Sequence, residues 1–360
     1  MAFLNFKNVR IAGIAAGVPQ HIEENVGDNI QSNDYDAAAY VELTGVKERH
    51  FSKRLTTSDL SCAAAQKLLD DLKWEKDEIG ALFFVSQTAD YRLPATSCIL
   101  QDKLGLSREA FVIDISLGCS GWVYGLCTAL GMMSTGQIKK ALVLAGDAKG
   151  TVKIDGIKPD PLFGHAGTAT AIEYSEGAKG FKFHLGVDGS GYDAIIQPDG
   201  GSRNPATIHS FKLVDDEGKK TCKLFTHMKG MDVFAFGITT APKSIKKLAK
   251  QYEFDYLDAD YYVFHQANMK MNNQIIKKLK LDESKVPSSM YQFGNTSSAS
   301  IPMTIVSQLY GRLKNPTTKC ICCGFGVGLS WGTVAFSTND LIISELVEVS
   351  DEETDKVHVL

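Results

Sequence analysis

Residues Phe111 to Leu130 read FVIDISLGCSGWVYGLCTAL. The run Phe111–Ile115 is mostly apolar and short, as in a buried strand. Gly118, Cys119, Ser120 and Gly121 follow. Beyond them Val123, Leu126, Cys127 and Leu130 recur at the i, i+3, i+4, i+7 spacing of an amphipathic helix. The pattern therefore predicts a strand-to-helix elbow with Cys119 at its apex. A helix N-terminus carries unpaired N–H groups and a partial positive charge, so a thiolate there is stabilised and nucleophilic. Cys119 is the first candidate for covalent chemistry, and an inert buried cysteine is the plainer alternative.

The chain has 360 residues, room for two domains or one large fold of two halves. Hydrophobic residues make up 44% and charged residues 22%, so a substantial core can form without disulfide staples. A net charge of −4 argues against a nucleic-acid surface over the whole protein. The N-terminal apolar run is broken by Gly13, Gly17 and Pro19, and no run approaches the ~18 apolar residues of a membrane span. Eight cysteines include a single CxxC spacing, Cys320 to Cys323. With no second pair it reads as a buried strand rather than a metal or disulfide cluster. Free thiols without a signal peptide point to the cytoplasm.

Strand-like runs at 9–14, 81–85, 111–115, 140–145 and 168–173 alternate with helical runs at 58–72 and 94–104. Thr57, Ser58 and Asp59 are candidate caps for the first helix. This is an α/β order, with helices on both faces of a mixed or parallel sheet. The second part repeats it. Tyr261–Phe264 is a short strand ending at His265, Met269–Leu279 is helical, and 320–323 and 334–336 are strands around a Gly-rich turn. A loop-rich stretch at 185–205 joins the parts. The reading divides the chain into 1–180, 181–338 and an acidic, solvated extension at 339–360.

A cysteine nucleophile commonly works with a histidine. His265 stands at a strand end, in VFHQAN (263–268), with Gln266 and Asn268 behind it. Asn295, in FGNTSSASIP (293–302), precedes small residues that open a helix ending near Leu309. Either residue could be structural: a satisfied core histidine, or a turn or cap asparagine. Together they can donate two hydrogen bonds to one carbonyl oxygen and hold an enolate as carbon dioxide leaves.

GCSGW, VFHQAN, FGNTSSASIP and GFGVGLSWG resemble the signatures of the β-ketoacyl-[acyl-carrier-protein] synthase III family of the thiolase superfamily. TGVKERH (44–50), PATSCILQDKLG (94–105) and LGVDGSGYD (185–193) are similar in the same order. The resemblance spans about residues 8 to 337. It implies a five-layered αβαβα fold of two similar halves, acting as a homodimer with no cofactor or metal. It implies that Cys119 carries the acyl group and that His265 and Asn295 serve the extender thioester. The Cys119 N–H and the loop Gly326, Val327, Gly328 would form a second oxyanion site. The family usually has Gly where Val327 stands. Phe163, in LFGHAG, matches the aromatic near the thiol. Leu93 matches the residue that reaches the partner subunit's acyl pocket. His165 stands where an acidic residue is common.

Ala39 and Ile157 fall where family members taking a coenzyme A starter clamp adenine between Trp and Arg. Neither can stack in that way. Lys270, Lys277 and Lys278 offer a basic helix face to an acyl carrier protein; a solvated lysine face is the alternative. The resemblance implies decarboxylating condensation of an acyl starter, from an acyl-CoA or acyl-carrier thioester, with malonyl-acyl carrier protein, in fatty-acid or related acyl-chain biosynthesis. The rival is a specialised acyltransferase of a secondary-metabolite or surface-polysaccharide pathway, forming an ester or amide without decarboxylation.

Overall fold

The computed structural model describes residues 2–25, 37–148, 160–216, 219–313, 317–338 and 340–353. Ile157 and the last seven residues lie outside them. Two central sheets carry the fold. In the first, the strands run in the order Ile342–Ile343, Val9–Pro19, Ala166–Tyr174, Lys140–Asp147, Ile79–Val85, Phe111–Ile115. In the second the order is Ala2–Phe6, Phe181–Val187, Ser330–Ser337, Lys319–Gly326, Tyr261–Phe264.

Four strands of each sheet correspond. Val9–Pro19, Ala166–Tyr174, Lys140–Asp147 and Ile79–Val85 are joined by two antiparallel pairings and one parallel one. Phe181–Val187, Ser330–Ser337, Lys319–Gly326 and Tyr261–Phe264 repeat that sequence of pairings. The duplication expected from alternating strands and helices is thus present in topology.

Burial assigns the layers. The helices Gly121–Met133 and Ser300–Leu309 are buried nearly all round, which places them between the sheets. Trp122, Leu126, Ile305 and Val306 share a core with the inner-face residues Phe83, Val85, Phe183 and Val334. Neighbouring residues on one strand face the opposite way: Leu82 and Phe84 pack against Leu68 and Leu69 of the outer helix Thr57–Leu72. On the far side Gly230–Gln251 and Met269–Leu279 cover the second sheet through Ile245, Ile275 and Phe264. The order of layers is αβαβα.

Several boundaries differ from the sequence reading. The first long strand runs on to Pro19, because Ala15, Ala16 and Gly17 pair with residues 167–169. The cap of Thr57–Leu72 is Thr56, which accepts from Asp59 N–H while Asp59 accepts from Thr56 N–H. Residues 185–187 complete a strand rather than opening a loop. Gly230–Gln251 is a 22-residue helix with Pro242 inside it. Pro has no N–H for the carbonyl four residues earlier. Here Lys278 Nζ donates to that carbonyl, Ile238 O, at 3.1 Å.

The acidic C-terminal stretch is not a free extension over its described part. Ile342–Ile343 and Val347–Val349 pair in parallel with Val9–Pro19. Ser52 Oγ donates to Asp351 Oδ1 at 2.6 Å. Val347 and Val349 pack with Leu55, Leu60 and Ala148, while Glu348 between them is exposed. Deleting residues 341–360 removes the buried Leu341 and Val349. Full burial of such side chains contributes roughly 1.5–3 kcal/mol each, so calorimetry should show a lower melting temperature. An unchanged one would return this segment to solvent.

Candidate active site

The strand Phe111–Ile115 ends two residues before a turn closed by Gly121 N–H on Gly118 O at 2.6 Å. Ser120 caps the helix Gly121–Met133, its carbonyl accepting from Val123 and Tyr124 N–H. Cys119 lies immediately ahead of that cap and is half-buried. Cys127, Cys320 and Cys323 are buried, and burial pushes each of their thiols up to about 12. Burial also raises Cys322 well above its ordinary value. The reading of 320–323 as a buried strand therefore holds. A helix N-terminus alone does not single out Cys119, since the exposed Cys98 sits in the first turn of Thr96–Lys103. Its surroundings do.

The strand Lys319–Gly326 passes so close beneath the elbow that there is no room for side chains. A Cβ on Gly324 would lie 2.8 Å from Ser120 Cα and 2.9 Å from the Cys119 carbonyl oxygen. On Gly326 it would lie 2.5 Å from Cys119 Cβ and 2.6 Å from Sγ. The turn beyond is tied to the same elbow. Ser330 Oγ donates to Val327 O at 2.6 Å and lies 2.7 Å from Ser120 Oγ. Val327 is half-buried and Gly328 exposed.

His265 follows Tyr261–Phe264, held by its own N–H on Cys323 O at 2.9 Å. His265 is 1% exposed, and its ring packs edge-on with Phe325, between the two floor glycines, with centroids 5.7 Å apart. Nδ1 lies 2.7 Å from Ser300 Oγ. Burial lowers this imidazole to about 3, against an opposing hydrogen bond with the Ser297 backbone. It is neutral at physiological pH. Asn295 is 5% exposed, and its Oδ1 accepts from Ser297 N–H at 2.9 Å. That fixes the amide, with Nδ2 as its donor, bonded to Ala267 O at 3.5 Å.

Ser297 is the hub. Its backbone serves both Asn295 and His265. Its Oγ lies 3.2 Å from where a Cβ on Gly118 would stand, beside the thiol-bearing residue. Its φ of +51° is left-handed, a conformation non-glycine residues seldom hold without cause. Phe163 reaches this loop through the backbone. Residues Phe163 and Asn295 form an isolated parallel bridge, with Gly164 N–H on Asn295 O at 3.2 Å and Asn295 N–H on Leu162 O at 2.9 Å.

The structure thus gathers Cys119, His265, Asn295, Phe163 and the Gly326, Val327, Gly328 turn. Leu93 is elsewhere: it is 82% exposed, ahead of Pro94. Lys270, Lys277 and Lys278 are exposed on Met269–Leu279, and Lys278 also supports Ile238 O. His165 has a structural role: its Nδ1 accepts Ser52 N–H at 3.3 Å, and its ring packs on Phe51. Ala39 is exposed on the helix Ala37–Thr44. Sequence reasoning missed the supporting hydroxyls of Ser120, Ser297, Ser300 and Ser330. The small residues of NTSSAS suggested only space.

Gly326→Ala should cost on the order of 1–3 kcal/mol in stability through overpacking, and alkylation of Cys119 should slow in the folded variant. An unchanged alkylation rate would mean that the floor is not tight. His265 should stay neutral in an NMR pH titration down to about pH 4, where an exposed ring titrates near 6.5. The unfolded chain binds a proton there that the native ring refuses, so stability should fall as pH drops from about 6.5 towards 3. A native-state titration of His265 near 6.5 would contradict the burial argument.

Two family profiles match the chain. "3-Oxoacyl-[acyl-carrier-protein (ACP)] synthase III" matches residues 113–189, and its C-terminal counterpart matches 249–338. A β-ketoacyl-[acyl-carrier-protein] synthase III of Clostridioides difficile is 35% identical over 332 residues, covering 89% of this chain and 96% of its own. A namesake from Desulfitobacterium hafniense is 30% identical, covering 90% and 96%. The crystal structure of a 3-oxoacyl-(acyl-carrier protein) synthase from Burkholderia xenovorans superposes with a TM-score of 0.87 at 35% identity, covering 97% and 99%. With the duplicated αβαβα fold and a cysteine, a histidine and an asparagine gathered at the junction of its halves, the chain belongs to the β-ketoacyl-[acyl-carrier-protein] synthase III family of acyltransferases.

Proposed function

We propose that the chain condenses an acyl group held on Cys119 with malonyl carried by an acyl carrier protein, releasing carbon dioxide and giving a 3-oxoacyl thioester. The observation that carries this is a pair of donors held by Ser297, whose side chain packs against the Cys119 elbow at Gly118: a buried neutral His265 and an Asn295 amide whose oxygen is already engaged. In the first step the Cys119 sulfur attacks the starter thioester, and the starter's thiol leaves. The helix N-terminus of Gly121–Met133 favours the thiolate. In the second step the malonyl C–C bond breaks. Its electron pair passes towards the thioester oxygen, where Asn295 Nδ2 and the Nε2–H tautomer of His265 supply hydrogen bonds. The enolate carbon then attacks the acyl-Cys carbonyl. Backbone N–H groups of Cys119 and the 326–328 turn serve that oxyanion. Collapse expels the Cys119 thiolate. A charged imidazolium could be lost to solvent-driven deprotonation; a ring held neutral keeps one function across the physiological range.

One of the open sheet edges among the described residues supports a homodimer. Phe111–Ile115 has a neighbour on one side only, and Phe111 and Ile113 are each 41% exposed. Bare apolar edges are seldom left open. A twofold pairing there would give the exposed Leu93 a partner surface, as the family pattern implies. For the carrier, the basic face of Met269–Leu279 continues onto Gly230–Gln251, where Lys243, Lys246, Lys247 and Lys250 line a groove with Lys278. No acidic residue lines it. This charge suits an acidic carrier, while Ala39 gives an adenine nothing to stack on.

Carbon dioxide release from malonyl-acyl carrier protein, with mass analysis of the loaded protein, tests the reaction. Cys119→Ala should abolish condensation. His265→Ala and Asn295→Ala should each lower decarboxylation by about 10²–10³ while acyl loading survives. Equal loss of loading in both variants would remove them from the extender site. Carrier-bound starters should load faster than the same acyl groups on coenzyme A, and the preference should shrink with salt. Lys270→Glu with Lys277→Glu should shrink it further; Lys278 is spared because its ammonium also holds Ile238 O. Salt-insensitive, tight loading from acetyl-coenzyme A would refute this preference.

A further inference from the structure

Asp147 ends the strand Lys140–Asp147 and is 6% exposed. Among the described residues its partners are hydroxyls and backbone N–H groups, with no cation among them. One carboxylate oxygen, Oδ1, accepts from Ser86 Oγ at 3.1 Å, Gln87 N–H at 2.9 Å and Thr88 Oγ1 at 3.1 Å. The other, Oδ2, takes Ser298 Oγ at 3.3 Å and Ser298 N–H at 3.5 Å. The Ser297 side chain also bonds to this carboxylate. The two oxygens thus hold two different loops.

Both loops reach Gly118, the residue before the thiol-bearing Cys119. Gln87 Oε1 packs 2.3 Å from where a Cβ on Gly118 would stand, and Ser297 Oγ packs 3.2 Å from the same point. Ser297 in turn holds Asn295 and His265. Ser297 keeps a left-handed backbone, which needs surroundings that over-determine it. An acid buried this deeply is costly unless it is well satisfied, and here its donors converge from both halves of the chain. We propose that Asp147 is a positioning residue for the reaction proposed above: its carboxylate locks Ser297 and Ser298, and through them sets Asn295 and His265 against the Cys119 elbow. It touches no substrate.

The replacement Asp147→Asn keeps the shape and removes the symmetry. Gln87 N–H and Ser298 N–H are fixed donors on different oxygens, so an amide must set its own NH₂ against one of them. The lighter change Ser298→Ala removes one hydroxyl link and keeps the acid. For each folded variant, acyl loading of Cys119 and carbon dioxide release from malonyl-acyl carrier protein are measured separately. Asp147→Asn should load within about threefold of the parent and decarboxylate about 10- to 100-fold more slowly, with Ser298→Ala between. Introduced into Asn295→Ala, Asp147→Asn should add clearly less than its loss in the parent, because part of that loss acts through Asn295. Full multiplication of the two losses, or equal loss of loading and decarboxylation, would overturn the proposal in favour of a general structural role. A crystal structure of Asp147→Asn tests the placement without activity: the Asn295 Oδ1 to Ser297 N contact of 2.9 Å should open, and its retention would overturn the proposal. A parent protein that releases no carbon dioxide would instead sink the reaction, leaving the crystallographic result to decide on Asp147.

Discussion

Everything in this fold turns on one close approach, where the strand Lys319–Gly326 of the second sheet slides beneath the Cys119 elbow of the first. Gly324 and Gly326 leave room for backbone alone. That approach fixes the separation of the halves and sets Phe325, between the glycines, against His265. It also lets Ser330 reach Ser120, so the turn behind the thiol is tied to the thiol's own helix cap. Interiors are packed to crystal-like density, so a shift of even one methyl at this crossing must propagate. The central helices Gly121–Met133 and Ser300–Leu309 are the spacers that hold the crossing at its distance.

The chemistry inherits that rigidity. His265 is kept neutral by burial rather than by a charged neighbour, and Asn295 is oriented by a backbone N–H rather than by another side chain. Both devices are insensitive to salt and to small changes of pH. They rely on a short run of small hydroxylated residues, Ser297, Ser298 and Ser300, each bonding a different part of the site.

Much of this was legible in the sequence because local signals and the fold agreed. Phe111–Ile115, Tyr261–Phe264 and Met269–Leu279 were readable to the residue, each being a clean apolar run or a capped amphipathic helix. Cys119, His265 and Asn295 were legible as reactive types at strand ends. Other features depended on long-range partners. Gly230–Gln251 was hidden by Pro242, whose orphaned carbonyl is served by a lysine 40 residues away. The strands at 342–343 and 347–349 looked like a charged tail because their pairing partner lies at the other end of the chain. The hydroxyl networks were invisible, since serine in NTSSAS has the same composition whether it bonds a histidine, a carboxylate or water.

The duplication has a consequence for how such a site can arise. The thiol belongs to one repeat, while the imidazole and the amide belong to the other, and they follow strands that do not correspond. Cys119 comes after Phe111–Ile115, the edge strand without a counterpart among the described strands of the second sheet, and His265 after the equivalent of Ile79–Val85. In this chain one unit carries the cysteine, and the other the histidine and the asparagine. The site therefore exists only where the two units face each other, and whatever alters that contact alters the thiol and its partners together.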